Sequence, residues 1–481
     1  MNAAILKISA LTAAMFVTAG HVSAQFPEGP EGFALIGKLA TRNAIDIPGS
    51  TWSIGGETID RNYTDYHSYK KYLGPLGAKR IRLQGGWARC EKQKGVHDFN
   101  WLDSIVNDAV SQGVKPWIGL SYGNPIYEGG GEPKLAGNFP SSPEALQAWD
   151  NWVKATISRY KNKVYDWEIW NEPDIIPKVT GEKYAQFFIR TVDLVKEIQP
   201  QSRVYAFGLA SVGKRDFPDQ FFATLKAQNK LHLVDVVTFH GYTMNPDDAY
   251  PVIKKLEELV RSYVPDVEMM QGENGCPSTP KSNSVGALSN NDWTELTQSK
   301  WDLRRMLGDF GRGYATNVFT ISDFRYVQGD HMTGYNSKGL LIAFPDKTID
   351  RPKMAYYAVQ RTMNLFDSKI ENVNKGATSL FQDSLSVFLF RNQVSKTSLF
   401  TVWYNGDKPV ESFKPLLSDF KIKGDFNDPV YVDLVSGSIY RIPKTQWKKN
   451  RSEYEFSNIP VPDYPVVIAD LKSIPFIRIT N

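Results

Sequence analysis

The sequence predicts an α/β chain built as a (β/α)8 TIM barrel followed by a C-terminal antiparallel β-sandwich. Two observations carry this. From residue 76 to 366, short apolar runs of strand type alternate with longer amphipathic segments, the pattern of repeated βα units on a parallel sheet. From residue 368 the texture changes to β-rich runs separated by Gly, Pro and Asn turns. The length of 481 residues accommodates both, since a barrel takes about 250 residues.

Seven barrel strands are countable: "KRIRLQ", "VKPWIGLS", "VYDWEIWN", "SRVYAFGL", "VDVVTFHGY", "VEMMQGEN" and "TNVFTISDF". An eighth, first in order, is expected in "FALIGKLATRNAIDI" or near "STWSIGG". Helical stretches lie between them. "WLDSIVNDAVSQG" ends in glycine and "SPEALQAWDNWVKATISRY" opens at a Ser-Pro start, as helix boundaries should. "RPKMAYYAVQRTMNLFD" reads as the last barrel helix. The runs "SLSVFLF", "SLFTVWYNG", "VYVDLVSGSIYRI", "EYEFSNIPV" and "YPVVIADL" then make the sandwich, which reads as a packing partner for the barrel. The division is a leader over 1–24, a barrel domain over 25–367 and a sandwich over 368–481.

The leader, "MNAAILKISALTAAMFVTAGHVSA", joins a lysine at Lys7, an apolar stretch too short for a membrane span and small residues at Ser23 and Ala24. That predicts a secretory signal peptide cleaved before Gln25 and a secreted or periplasmic product without stable membrane insertion. No cysteine follows the apolar stretch, which argues against a lipid anchor there. Cys90 and Cys276 are the only cysteines, and as they follow strands on opposite sides they are expected to be free thiols. The net charge of +4 includes no long basic run, so nucleic acid is not an expected partner. The histidines form no metal-binding pattern, and no phosphate-cradling glycine motif follows a strand, so neither a metal nor a cofactor is expected.

Barrel active sites lie at the C-terminal ends of the strands. In "DWEIWNEPD", alternation puts Glu168, Trp170 and Glu172 on one parity, with Glu172 last and Pro173 stopping the ladder. In "MMQGENGCP" it puts Met269, Gln271 and Glu273 on one parity, with Glu273 again at a strand end. Two glutamates about three βα units apart thus point over one barrel mouth. Carboxyl groups about 5–5.5 Å apart suit retaining glycoside hydrolysis, provided one is neutral and the other ionised. Trp170 is a candidate for raising the pKa of Glu172, and Tyr242 or Arg82 for lowering that of Glu273. Glu168, deeper in its strand, reads as a structural carboxylate paired with Arg82. Trp87, Trp117 and Trp170 either stack on sugar faces or fill the core; Trp87 is favoured for stacking because it lies beyond a strand end. Asp323 either binds a substrate hydroxyl or caps the next turn. Gln84, Asn124, Asp323 and Tyr335 are candidates for reading individual hydroxyls.

"WEIWNEPD" resembles the acid/base motif of the large retaining clan of barrel glycoside hydrolases, clan A, in which Asn-Glu-Pro closes the fourth strand. The resemblance implies that Glu172 is the general acid/base, that Asn171 binds the sugar 2-hydroxyl and that Glu273, in "GENG", is the nucleophile. It further implies that Tyr242 of "FHGY" bonds the nucleophile, that His240 lines the site and that Arg82 is the clan arginine ending the second strand. Closer still, "EIWNEPD", "ISDFRY", "KGLL" and "RPKMAYYAVQ" are similar to glycoside hydrolase family 39, the β-xylosidase and α-L-iduronidase family. Gln84 departs from it, standing where a histidine is implied.

The expected function is an exported, retaining hydrolase of β-glycosidic bonds in plant- or algal-type oligo- or polysaccharides, exo-acting and β-xylosidase-like, working without a cofactor. An endo-acting glycanase of the same clan and a non-catalytic glycan-binding barrel are the alternatives. The long segments after the third and seventh strands, able to wall off one end of a cleft, favour exo action.

Overall fold

The computed structural model describes residues 27–328, 331–373, 384–451 and 453–479. The leader expected over 1–24 lies outside these residues. Strand β1 (Ala34–Leu39) stands apart from the barrel. Eight parallel strands then close the barrel in chain order: β2 (Trp52–Gly55), β3 (Arg80–Gln84), β4 (Lys115–Leu120), β5 (Asp166–Ile169), β6 (Arg203–Leu209), β7 (Val236–Phe239), β8 (Glu268–Asn274) and β9 (Ala315–Val318). The first barrel strand is therefore the "STWSIGG" alternative, and β2 closes the ring by pairing with both β3 and β9.

Helices cover the outside. They are α1 (Tyr66–Leu76), α2 (Trp87–Cys90), α3 (Asn100–Ser111), α4 (Pro143–Tyr160), α5 (Gly181–Ile198), α6 (Asp216–Ala227), α7 (Tyr250–Tyr263), α8 (Glu295–Arg312) and α9 (Met354–Leu365). Their boundaries follow local chemistry. Ser142 accepts the Ala145 N–H ahead of Pro143, Thr180 accepts that of Lys183, and Gly77 ends α1 in the left-handed region at φ 88°. Trp117, Tyr205, Val236, Met270 and Ala315 fill the barrel interior, a packed core rather than a channel.

Two hairpins separate the last barrel strand from α9. They are β10 (Phe324–Gln328) with β11 (His331–Asn336), and β12 (Leu341–Ala343) with β13 (Ile349–Pro352). Beyond α9 come β14 (Ile370–Asn372), β15 (Leu385–Asn392), β16 (Ser398–Tyr404), β17 (Leu416–Lys423), β18 (Pro429–Asp433), β19 (Ser438–Arg441), β20 (Trp447–Asn450), β21 (Glu453–Val461), β22 (Val466–Asp470) and β23 (Phe476–Arg478). An eight-stranded sheet in the order β14-β15-β16-β22-β18-β19-β1-β23 faces a three-stranded sheet, β17-β21-β20. Phe400 of the first sheet meets Phe420 and Phe456 of the second, which is the core of the sandwich. Strand β1 is a correction to the expected division at residue 368. It pairs antiparallel with β19 and β23, so the C-terminal sheet borrows a strand from the N-terminal side of the barrel. Its short alternating run carries no mark of which sheet it joins.

Helix α8 locks the two parts together. It is rich in charge yet buried almost all round, because the barrel covers one side and the sandwich the other. Lys300 donates to Asp463 at 2.8 Å and to the Val410 carbonyl. Arg304 binds Asp247, which also accepts from Ser386 and Trp403 of the sandwich. A charge taken from water needs such partners, and removing one leaves the other stranded. We expect Lys300→Met to destabilise the chain by about 3–5 kcal/mol in urea unfolding, Asp463 being left buried without its cation and with only the Val410 N–H to meet its charge; a change below about 0.5 kcal/mol would contradict this role.

Candidate active site

One guanidinium organises the mouth of the barrel. Arg82, near the end of β3, is 1% exposed and lies over the Trp117 ring at 5.3 Å. Its Nε donates to Glu168 Oε2 at 2.8 Å, and its Nη2 lies 2.7 Å from both that oxygen and Asn171 Oδ1. Its Nη1 reaches Glu57 Oε1 at 3.1 Å and Glu273 Oε2 at 3.0 Å. These partners can take all five N–H groups that an arginine offers. Glu168 is completed by Thr238 Oγ1, which donates to its other oxygen at 2.8 Å. Gly208 must be glycine here. At φ 62° it turns toward the cluster, and a Cβ would come within 3.4 Å of His240, Asn171 and Glu168.

Glu172 reaches the mouth by a break in the strand, not by alternation. The regular part of β5 ends at Ile169, and both Trp170 (φ 70°) and Glu172 (φ 51°) adopt left-handed backbone. Trp170 is thereby thrown outward against Phe139, Trp149 and Phe187, while Asn171 and Glu172 face the barrel axis. Such backbone costs about 1–3 kcal/mol per residue unless its surroundings hold it. Here the Trp170 N–H donates to the Leu120 carbonyl and the Glu172 N–H to that of Gly208. Asp174 clamps the exit by accepting the N–H groups of Ala210 at 3.0 Å and Ser211 at 2.8 Å.

Glu273 also departs from simple alternation. Met270 shares the interior cluster with Trp117, and Gly272 faces Thr238 and Trp117, so the inward positions of β8 are 270 and 272. An irregularity in the pairing of β8 with β9 between Gln271 and Asn274 then turns Glu273 into the mouth. There it accepts Tyr242 Oη at 3.0 Å in addition to Arg82.

The two carboxyls are pushed in opposite directions. Burial raises the pKa of Glu172, with its hydrogen bond to His240 Nδ1, at 2.7 Å, acting against the rise. Burial alone would raise Glu273 too, but the charges of His240 and Arg82 and the hydrogen bonds from Tyr242 and Arg82 outweigh it and hold this carboxyl below the usual range. For His240, burial favours the neutral ring, yet Glu273 and Glu172 together raise its pKa. A donor atom from each of Glu172, His240 and Glu273 lies within 4.8 Å of the others. That is close enough to hold a metal ion, but His240 already occupies the facing oxygen of Glu172, and Arg82 and Tyr242 occupy those of Glu273.

A cavity of about 350 Å³ opens over the pair. Glu172, Glu273, Asn171, Gln84 and Tyr242 line it, and Arg82 and His240 stand directly behind them. Gln84 is held in place by donation from Arg61 to its Oε1 at 2.6 Å and by its own donation to Tyr122 at 3.2 Å. Several predicted residues do not belong to the cavity. Trp87 is fully buried, bonded to Glu91 at 2.6 Å and packed on Tyr127, Trp149 and Trp152, because α2 folds it back under the helical layer. Asp323 is engaged by Lys353 at 2.7 Å and Tyr335 at 2.5 Å in a buried network, so it neither faces the cavity nor caps a turn from solvent. Trp117 lies beneath Arg82, and Asn124 bonds the Glu91 carbonyl, both away from the cavity. Cys90 and Cys276 are free and buried.

Several cavity residues escaped the sequence. Glu57 follows β2 and would have been found by the same strand-end logic had that strand been fixed. Arg61, Tyr122, Tyr326, Asn336 and Lys338 come from loops and the β10–β11 hairpin, where no period marks them. Burial lowers the Lys338 ammonium to about 8. A roomier groove of about 940 Å³ between the 125–141 segment and α5 has one carboxylate, Glu132, and no facing acid pair.

Comparisons with known proteins agree with the barrel fold. The family model described as "Glycosyl hydrolases family 39" matches residues 83–271. A curated relative, an aryl-phospho-beta-D-glucosidase from Bacillus subtilis (strain 168), is 23% identical over 220 residues, which cover 42% of this chain and 43% of its own length. Among solved structures, a family 39 glycoside hydrolase from Bacteroides cellulosilyticus WH2 superposes with a TM-score of 0.62 at 17% identity, covering 89% of this chain and 81% of that one. A monomeric beta-xylosidase from Caulobacter crescentus CB15 superposes with a TM-score of 0.58 at 15% identity, covering 90% and 98%. At those identities the structures speak to the fold, and the family match speaks to the segment that carries Glu172. The closed parallel barrel and the family 39 match over residues 83–271 make this chain similar to the barrel glycoside hydrolases.

Proposed function

We propose that the protein is an exported, retaining β-glycosidase, exo-acting and β-xylosidase-like, whose substrate is a plant- or algal-type oligo- or polysaccharide. The observation that carries the reading is the carboxylate pair. One oxygen of Glu172 and one of Glu273 lie within 4.8 Å, and the two groups are biased toward opposite protonation states. Retaining enzymes hold their acids about 5–5.5 Å apart, whereas inverting ones leave about 6.5–9.5 Å for a water. Protonated Glu172 gives its proton to the departing glycosidic oxygen as that C–O bond breaks, and Glu273 bonds to the anomeric carbon. Glu172, now ionised, takes a proton from water; the water oxygen bonds to the same carbon, the ester bond breaks and Glu273 returns to its carboxylate. Asn171, which accepts from Arg82 and donates to Tyr122 at the cavity wall, is the residue proposed to meet the hydroxyl next to the reacting carbon.

Exo action is supported by the walls of the cavity. Leu135, Gly286, Ala287, Tyr326 and Lys338 come from separate loops and bound a space of about 350 Å³, the lower end of the range for small-ligand sites. Release of a single small product from a long polymer supports this reading, and a ladder of oligomers contradicts it. Export is supported by the leader pattern of residues 1–24.

Replacing Glu273 with Ala should lower kcat on an activated aryl β-xyloside by at least about 10³-fold. Azide should restore turnover through a glycosyl azide of inverted configuration; normal hydrolysis by the variant would sink the assignment. The pH profile should be bell-shaped, falling toward acid as Glu273 protonates below the usual carboxylate range and toward base as Glu172 ionises above it. Tyr242→Phe removes a donor to ionised Glu273, so its acid limb should move to higher pH and kcat/KM should fall ~10-fold. An unmoved acid limb would show that Tyr242 does not serve the nucleophile.

A further inference from the structure

Glu57 is a third carboxylate at the mouth of the barrel, and the double displacement above gives it no part. It follows β2 in "GGETID" and is 2% exposed. Its backbone is pinned by Thr64, whose hydroxyl donates to the Glu57 carbonyl, and by the next turn, where the Tyr63 N–H donates to the Thr58 carbonyl. Oε1 accepts from Arg82 Nη1 at 3.1 Å and from Asn317 Nδ2 at 3.4 Å. Oε2 is buried without a hydrogen-bond partner and fits only because residue 55 is glycine, where a Cβ would lie 2.2 Å from it.

The decisive geometry is at Nη1. A guanidinium nitrogen of this kind carries two hydrogens, and Arg82 directs Nη1 at two acceptors, Glu57 Oε1 and Glu273 Oε2, 3.1 and 3.0 Å away. On the reading of Glu273 as nucleophile, we infer that Glu57 is a positioning residue: by accepting one Nη1 hydrogen it fixes the other on Glu273. The guanidinium is planar, so holding one hydrogen of Nη1 sets the direction of the second.

Charge supports the same role. One buried cation does not stabilise three ionised carboxylates at once. Burial, with Glu273 adding to it and Arg82 opposing, raises Glu57 to about 7, while Glu273 is held low. The groups around Glu57 are Arg82 from β3, Glu273 from β8, Tyr69 from α1, Tyr242 after β7 and Asn317 from β9. Arg82 is the cation among them. Below neutrality Glu57 is therefore an uncharged acceptor, with its proton on the unpartnered Oε2, and it orders Arg82 without competing for its charge.

The test compares Glu57→Ala with Glu57→Gln on an activated aryl β-xyloside from acid to mildly alkaline pH. Glu57→Ala removes the acceptor; kcat/KM should fall ~10-fold or more and the acid limb should move to higher pH as Glu273 loses its aligned donor. Glu57→Gln keeps a neutral acceptor at the same reach, so it should recover most of the loss and restore the acid limb. Parental rate and profile in Glu57→Ala would overturn the inference, and so would a loss in Glu57→Gln equal to that in Glu57→Ala. If the alanine variant does not fold by circular dichroism, Glu57→Asp, which retracts the oxygen by one methylene, takes its place with the same expected shift. Failure of azide rescue in Glu273→Ala removes the nucleophile assignment itself, whereas rescue there combined with a parental Glu57→Ala removes only this inference.

Discussion

The architecture of the site depends on one buried cation. Arg82 is out of reach of water, so its charge must be met inside the barrel, and the groups that meet it come from four places: Glu57 after β2, Glu168 and Asn171 from β5 and its exit, and Glu273 from β8. An unpaired charge at such a depth costs several kcal/mol, so each partner is held by the others as much as by its own strand. The Trp117 ring, itself buried in the barrel interior, lies beneath the guanidinium and closes the bottom of the arrangement. The cluster can thus hold Glu273 ionised in a buried place while leaving Glu172, bonded to His240 rather than to the guanidinium, free to keep a proton.

The strand-end glutamates were legible because both sit where a β-period stops, at Pro173 and in "ENGC", and because the family motif names their partners. The reason given for their orientation was incomplete. Alternation predicted Trp170 and Glu172 on one face, but left-handed backbone at both residues sends them apart. Alternation also placed Met269 and Glu273 together, whereas Met270 points inward and an irregular pairing past Gln271 delivers Glu273. Departures of this kind depend on neighbouring strands and leave no period to read. Trp87 and Asp323 failed for a related reason. Lying just beyond a strand is compatible with facing a ligand or folding back, and only the partners, Glu91 for one and Lys353 for the other, decide which. The pairing of Glu168 with Arg82, by contrast, followed from a rule that needs no coordinates: a buried acid seeks a buried base.

The fold was legible wherever periodicity was strong. Seven barrel strands and the β-rich texture of the C-terminal part could be read directly. Strand β2 is four residues long and has little alternation, so the first barrel strand stayed open between two candidates, and with it Glu57. Strand β1 illustrates the converse, a recognisable apolar run whose sheet is chosen by tertiary pairing. Helix α8 is the least readable element. Its Lys300, Arg304, Arg305 and Asp309 have the composition of a solvated face, yet the sandwich and barrel bury them; Asp463 and Asp247 meet Lys300 and Arg304, while Arg305 and Asp309 pair with each other. The second domain therefore covers a polar helix that would otherwise face water, and in doing so fixes the barrel wall between β8 and β9.

The proposed chemistry rests on distance and proton affinity, and both are what double displacement at a single anomeric carbon requires. The most direct test is the stereochemistry of the first product, followed by proton NMR during hydrolysis of an aryl β-xyloside before mutarotation intervenes. A pair of carboxylate oxygens within 4.8 Å predicts that the β-anomer of the released sugar appears first. Initial release of the α-anomer would mean a single displacement by water and would contradict the account.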